Sequence, residues 1–313
     1  MSKLLLVDGS ALLHRAYHAY PPLKTRTGEI VGAVYGVASI LISALEQEKP
    51  TYVMVAWDLP KPTFRHVKYV GYKAQRPKAD EEMVLQIPLV KEVIKTMGIL
   101  QEGVEGYEAD DIIGTLATQM IKPLNHSNIE PLDVVILTGD QDTMQLVSPH
   151  VRVLTPAKGA NPPVLYGPDE VWNKYGVHPE QIVDYKALVG DPSDNIPGVA
   201  GIGPKGASNL LKMFGSLTNL YENLKEVQVH FGELIAKKLA DGKDSAFLSQ
   251  DLSRIVTDMK MDITLPQMEY KGFIVEAVRE KFNELGFKSL VKRFFPSDDE
   301  TKKKIPDNQM GLF

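Results

Sequence analysis

LLLVDGS, residues 4–10, sets four apolar residues directly before an aspartate and two turn-forming residues. A run this short and this apolar reads as a strand buried on both faces of a parallel sheet, with Asp8 at its carboxyl end. The same grammar recurs in YVMVAWD (52–58), which ends on Asp58, and in VVILTGDQD (134–142), which carries Asp140 and Asp142. Helical patterns lie between these runs, at Ala33–Glu46, at Gln86–Met97 and from Ala109 onward. Strands alternating with helices predict an α/β fold with a central, mostly parallel sheet and flanking helices. In such sheets the functional crevice opens beyond the carboxyl ends of the strands, the edge on which these four aspartates fall.

Two further stretches add acid. GYEADD supplies Glu108, Asp110 and Asp111, and VGDPSDN supplies Asp191 and Asp194, making nine carboxylates in five places. Like charges gathered in this way raise one another's pKa and favour neutralisation. Cations reverse the balance, and oxygen-only ligands select hard ions such as Mg²⁺ or Mn²⁺. Each motif alone also has a plain structural explanation. Acids in the first turn of a helix complement its dipole, and an aspartate in a turn can cap the helix that follows. The joint occurrence at one predicted edge favours metal. Two hard cations about 4 Å apart can flank a phosphodiester, one activating water and the other holding the leaving oxygen. No serine or histidine arrangement suggests a covalent mechanism, and His14, His18 and His66 read as surface or packing residues.

The chain has 313 residues, 43% of them hydrophobic, which suits one large domain and a smaller one. The absence of cysteine excludes disulfides, thiolate metal sites and thiol nucleophiles, and is compatible with a reducing cytoplasm. The apolar run before Asp8 is too short for a signal peptide, and no stretch approaches the length of a membrane span. A net charge of −5 conceals a basic segment. Residues 60–79 contain no acid, while Lys61, Arg65, Lys68, Lys73, Arg76 and Lys78 alternate with Phe64, Tyr69 and Tyr72. A lysine-rich run is commonly a solvated loop; the aromatic interleaving and the arginines favour an anionic backbone with stacking bases. A third element, GVAGIGPKGA (198–207), can form a tight turn whose backbone N–H groups approach a phosphate. It lacks the Walker A spacing and follows no strand.

From about Gln181 strand signals fade and helical patterns such as Ala207–Met213 and Leu234–Leu239 take over, closing near Phe287–Phe295. PSDDETKKKIPDNQ (296–309) is charged and lacks apolar periodicity, as expected of a flexible tail.

Taken together, these motifs resemble the 5′ nuclease family, and most closely the 5′–3′ exonuclease domain at the N-terminus of bacterial family A DNA polymerases, relatives of flap endonucleases. VDGS at Val7, TFRH at Thr63, YKAQR at Tyr72, EADD at Glu108, TGDQD at Thr138 and GDPSDNIPGVAGIGPK at Gly190 match in order and spacing, over roughly residues 1–295. The resemblance implies a PIN-like nuclease core over residues 1–180, a helical arch at about 70–100 that guides the single-stranded 5′ end, and a helical DNA-binding domain over 181–295. The last would grip duplex through a helix–three-turn–helix element, with Gly198, Gly201, Gly203 and Lys205 in the turn and a potassium ion held there.

By the same resemblance Asp8, Asp58, Glu108, Asp110, Asp111, Asp140, Asp142, Asp191 and Asp194 hold two or more ions, with Asp58, Asp191 and Asp194 assigned to water-mediated contact or a second metal. Asp111, Asp142, Lys73 and Arg76 are the expected catalytic residues, Lys73 and Arg76 stabilising charge on the scissile phosphate. Tyr72 stacks on an unpaired nucleotide and Arg65 contacts DNA. The expected enzyme is a monomer in the cytoplasm, associated with the nucleoid, that cleaves DNA at a 5′ end or flap in primer removal and repair. A family A polymerase would continue far beyond Phe313, so a stand-alone nuclease is also expected. Its final QMGLF resembles the pentapeptide by which bacterial proteins dock on the sliding clamp, with Gln309, Leu312 and Phe313 as anchors, and residues 296–313 as the tether. An accidental match at a chain end is the alternative, and the flexible, charged tether ending in Leu-Phe favours docking. Two alternatives to a DNA nuclease stand beside it: a non-catalytic DNA-binding module stabilised by metal, and a PIN-type ribonuclease, which would not need the Gly198–Ala207 turn.

Overall fold

The computed structural model describes residues 2–121, 132–157, 159 and 161–295. Six strands form one sheet: β1 (Lys3–Asp8), β2 (Tyr52–Ala56), β3 (Leu100–Glu102), β4 (Asp133–Leu137), β5 (Val151–Thr155) and β6 (Val164–Tyr166), in the order β3-β2-β1-β4-β5-β6. All neighbours run parallel except β5 and β6. The three strands read from apolar runs are β1, β2 and β4, at the middle of the sheet. The other three escape that reading because β3 and β6 have three residues each and Arg152 interrupts β5.

The helices preceding β4 are α1 (Gly9–Ala19), α2 (Gly32–Glu48), α3 (Phe64–Lys68), α4 (Glu81–Thr96) and α5 (Ala109–Ile121). After β6 come α6 (Pro168–Tyr175), α7 (Ile182–Val189), α8 (Pro204–Phe214), α9 (Leu217–Glu222), α10 (Leu224–Phe231), α11 (Glu233–Asp241) and α12 (Lys243–Ser253). α13 (Val275–Glu284) and α14 (Lys288–Phe294) complete the described chain.

By internal contacts the chain forms two units. Of the described residues, the first holds those within 2–12, 50–79 and 100–269, and the second those within 13–49, 80–99 and 270–295. The first contains the sheet. Its core joins Leu4, Leu6, Met54, Val134 and Ile136 to Ile112, Ile113 and Leu116 of α5, then runs on through Leu188, Leu210, Leu211 and Leu217 of the helices beyond α6. No hydrophobic boundary therefore separates the sheet from those helices. In the second unit, α4 lies against α2 and α13, the Ala33 N–H donates to Gln86 Oε1 (2.8 Å), and Lys281 pairs with Glu92 (2.8 Å). The 70–100 stretch thus divides: residues 70–79 form turns in the first unit and Glu81–Thr96 a helix in the second.

Sequential strands change direction across the sheet between β1 and β4, because β2 and β3 lie on one side of β1 and β4 and β5 on the other. Such a switch point opens a crevice at the strands' carboxyl ends. Asp8 closes β1 there, and Thr138, just past β4, donates its hydroxyl to Asp8 Oδ2 at 2.9 Å.

A second feature fixes this edge. The end of α12 (Leu252 and Ser253) and residues 254–256 just beyond it, which join no sheet ladder, are held against this edge by side chains. Arg65 Nε donates to the Leu252 carbonyl (3.0 Å) and Nη2 to that of Arg254 (2.8 Å). Gln145 Nε2 donates to the Ser253 carbonyl (2.9 Å), and the Ile255 N–H returns a bond to Gln145 Oε1 (2.9 Å). The Val256 N–H donates to Asp111 Oδ1 at 2.9 Å. Gly114 lets this strap cross α5 closely: a Cβ there would lie 2.6 Å from Ile255 Cγ2.

Candidate active site at the carboxyl edge of the sheet

All nine predicted carboxylates belong to the first unit, carried by the ends of β1, β2 and β4, the first turn of α5 and the 190–203 turn between α7 and α8. The plain structural roles are real. Asp8 Oδ1 accepts the Ala11 N–H (2.9 Å), Asp58 Oδ1 accepts the Ala109 N–H at the start of α5 (2.7 Å), and Asp140 Oδ1 accepts the Asp142 N–H (2.9 Å). These bonds orient the carboxyl groups without neutralising them.

The acids fall into two sets. Among the described residues, no lysine or arginine pairs with Asp8, Asp58, Asp110 or Asp140. Burial, then the charge of Asp58, pushes the Asp8 carboxyl up to about 7. Asp110 is likewise pushed well above the carboxylate range, by burial and then by Asp111. Its Oδ1 is closed off from solvent and finds no hydrogen-bond partner among the described residues, which is costly for an anion unless a cation shares the site.

The second set is compensated. Lys73 Nζ donates to Glu108 Oε1 at 2.7 Å and lies 3.8 Å from Asp194 Oδ2, and Arg76 Nη2 contacts Asp194 Oδ1. Lys186 Nζ contacts Asp142 Oδ1 and donates to Asp191 Oδ2 at 2.8 Å. Burial raises Asp142 to about 7 in spite of Lys186. Burial also acts upward on Asp191, but the Lys186 ammonium and Ser193 outweigh it and hold that carboxyl at about 2.

Three residues expected in the site sit in buried pairings in this structure. Arg65 is 1% exposed, and its guanidinium donates bidentately to Asp111 at 2.8 and 2.7 Å, so it cannot contact DNA as it stands. Asp111, with no exposed surface, spends both oxygens on Arg65 and also accepts the N–H groups of Val256 and Glu108. Tyr72, expected to stack on a nucleotide, is 3% exposed, and its hydroxyl donates to Glu108 Oε2 (3.0 Å) and Asp194 Oδ2 (3.3 Å). In each case a carboxylate reached the basic or phenolic group first. Among the described residues, no three carboxylates or histidines converge as a metal cage.

The turn carrying Lys73 is docked on the acidic loop. Lys73 takes a left-handed backbone (φ 53), held by its N–H to the Asp194 carbonyl (2.9 Å), while Asn195 Nδ2 donates to the Gly71 carbonyl (2.7 Å). Beyond Asp194, Gly198 and Gly201 take positive φ, and a Cβ on Gly198 would lie 2.4 Å from the Gly190 nitrogen. Gly203 caps α8 and Pro204 opens it. Pro204 has no N–H, so the unshared donors of the first turn are those of Lys205 and Gly206, on an exposed helix start. Lys186 and the strap went unread in the sequence. The signal for Lys186 was faint: a single lysine in the last turn of α7, five positions before Asp191. Gln309, Leu312 and Phe313 lie outside the described residues.

An acid-lined switch point crossed by lysine and arginine, beside a helix start that offers bare N–H groups, is the framework of a phosphodiester nuclease. The chain belongs to the 5′–3′ exonuclease family. Residues 3–176 match the family's N-terminal resolvase-like domain and residues 177–276 its C-terminal SAM fold. It is 37% identical over 292 residues to the 5′–3′ exonuclease of Aquifex aeolicus (strain VF5), covering 93% of this chain and 95% of that protein. It is 42% identical over 291 residues to DNA polymerase I of Bacillus subtilis (strain 168), covering 93% of this chain and 32% of the relative, so it spans about a third of such polymerases. Among solved structures it has the fold of T5 5′-exonuclease with bound zinc, at a TM-score of 0.65 and 23% identity, covering 82% of this chain and 90% of that one. It also resembles the catalytic core of Rad2 in complex with a DNA substrate, at a TM-score of 0.61 and 15% identity, covering 94% and 92% of the two chains.

Proposed function

We propose that the chain hydrolyses DNA phosphodiesters at 5′ ends and 5′ flaps with the help of two or more Mg²⁺ or Mn²⁺ ions. The orphaned, buried Asp110 Oδ1, in the α5 turn whose Ala109 N–H donates to Asp58, carries this reading, since an unpartnered carboxylate oxygen of this kind suits a hard cation. Asp8, Asp58, Asp110 and Asp140, with Glu108, Asp142, Asp191 and Asp194, would hold the ions. When bound, the ions supply an activated water and neutralise the leaving oxygen.

The chain's own groups do the rest. The Asp58 and Asp8 bonds to backbone N–H groups fix the orientation of the carboxyl groups, and the Thr138 hydroxyl fixes the second oxygen of Asp8. Lys73 and Arg76, at present turned to Glu108 and Asp194, offer their charge to the scissile phosphate once cations take over those carboxylates. Tyr72 acts by holding Glu108 and Asp194 rather than by stacking. The N–H groups of Lys205 and Gly206, with the Lys205 ammonium, grip a duplex phosphate at the start of α8, and the carbonyls of the Gly198–Gly203 turn suit a potassium ion.

The same reading assigns residues 1–180 to a nuclease core with an arch at about 70–100 that guides the 5′ strand, 181–295 to DNA binding, and 296–313 to a tether ending in the clamp-docking anchors Gln309, Leu312 and Phe313. It gives the protein a role in primer removal and repair as a cytoplasmic monomer on the nucleoid; no described helix is long and apolar enough to cross a membrane. Mapping cleavage sites on a double-flap DNA, with Mg²⁺ and then with chelator, tests the proposal. Cuts at the flap base that vanish with chelator are expected; metal-independent cutting, or duplex binding without any cutting, would refute it.

A further inference from the structure

The two halves of the acidic edge differ in one respect that bears on how ions load. Among the described residues, one set has no partner cation, and the other is already paired with Lys73, Arg76 and Lys186. Lys186 sits in the last turn of α7, where the helix dipole favours a cation. Its side chain is 13% exposed and reaches two carboxylates from different segments at once, Asp142 after β4 and Asp191 after α7, which are themselves 15% and 17% exposed. A lysine that only stabilised a loop would need one partner. This one bridges the two acids that would otherwise repel across the entrance to the 190–203 turn. The α7 backbone holds it in place, with the Gly190 N–H closing onto the Lys186 carbonyl at 2.8 Å.

Resting on the metal-dependent reading above, we propose that Lys186 is the resident counter-ion of the Asp142–Asp191 side, a displaceable ammonium that sets how much divalent ion this side requires. An arriving ion must take oxygens that already carry charge-assisted hydrogen bonds, so its net gain is reduced by what those bonds contributed. The Asp8–Asp110–Asp140 side imposes no such competition. The chain thereby ranks its own sites: the uncompensated side fills first, and the lysine-held side fills only as the ion concentration rises. Displacement also releases a protonated ammonium beside the bound phosphate backbone, where a positive charge is favourable.

Mn²⁺ titration of the full chain, followed by calorimetry and by the loss of the free-ion electron paramagnetic resonance signal, tests this without reading activity. The parent should show a tighter and a weaker binding event, and Asp142→Asn should remove the weaker one. Lys186→Met should tighten the weaker event roughly tenfold or more, the size expected for losing charge-assisted competitors, and leave the tighter event unchanged. Lys186→Gln, which keeps the length and a hydrogen bond but not the charge, should do the same if the methionine variant folds poorly. Lys186→Arg, which keeps a cation, should retain the parent's weak event. A weaker event that is unchanged or further weakened in both neutral variants overturns the inference while leaving the metal reading intact. No Mn²⁺ binding by the parent at all would remove the metal reading, and this inference with it.

Discussion

Arg65 and Asp111 form the most deeply buried ion pair of the site, with side chains 2% and 0% exposed. A buried pair contributes little over an apolar substitute, but an abandoned partner is strongly destabilising. Arg65→Met should therefore lose about 3–5 kcal/mol in urea denaturation, and adding Asp111→Leu should restore most of it; a single variant as stable as the parent would refute the pairing. Asp110 presents the opposite case. The fold disfavours its charge, since the carboxyl is buried next to Asp111 with an unpartnered Oδ1, so Asp110→Asn should raise the melting temperature in chelator, by roughly 2 °C for about 1 kcal/mol in a chain of this size. The same variant should lose Mg²⁺-dependent cleavage. A fall in melting temperature would contradict this account. Sequence alone flagged these acids because aspartate after an apolar strand is informative by type and position. It could not tell a basic residue that faces phosphate from one claimed by a carboxylate 46 positions away, as happened to Arg65.

Between α7 and α8 the chain reverses in a turn that admits no side chain at Gly198, where φ is +65 and the Gly190 nitrogen crowds the Cβ position. Gly198→Ala should cost roughly 1–3 kcal/mol and weaken binding to nicked duplex in fluorescence anisotropy; undiminished stability would show that the turn relaxes freely. Lys205→Ala, at the exposed start of α8, should weaken binding equally for unrelated sequences and reduce the slope of log affinity against log salt by about 1. A slope identical to the parent's would mean that Lys205 touches no phosphate. The glycine run was legible as a turn between helices because glycine has few other reasons to recur at that spacing. The docking of the Lys73 turn onto the Asp194 loop was not legible, since it depends on a left-handed lysine and an asparagine reaching across 124 positions to the Gly71 carbonyl.

Across the whole first unit, the central strands were legible because fully buried parallel strands read as unbroken apolar runs, whereas β3, β5 and β6 are too short or too mixed to do so. Harder to foresee was the continuity between sheet and helices. One core runs from Leu4 to Leu239, across the joint at residues 176 and 177 where the two family domains meet. The strap at 252–256 crosses the same joint, completing the hydrogen bonds of Arg65, Asp111 and Gln145. This makes the N-terminal domain an unfinished polypeptide. Residues 3–176 produced alone would lack the Leu252 and Arg254 carbonyls that the Arg65 guanidinium donates to and the Ser253 carbonyl that Gln145 donates to, and should be insoluble or give no cooperative unfolding transition in circular dichroism. Supplying residues 177–276 as a separate chain should rescue it, the second fragment acting in trans as the template on which the first one folds.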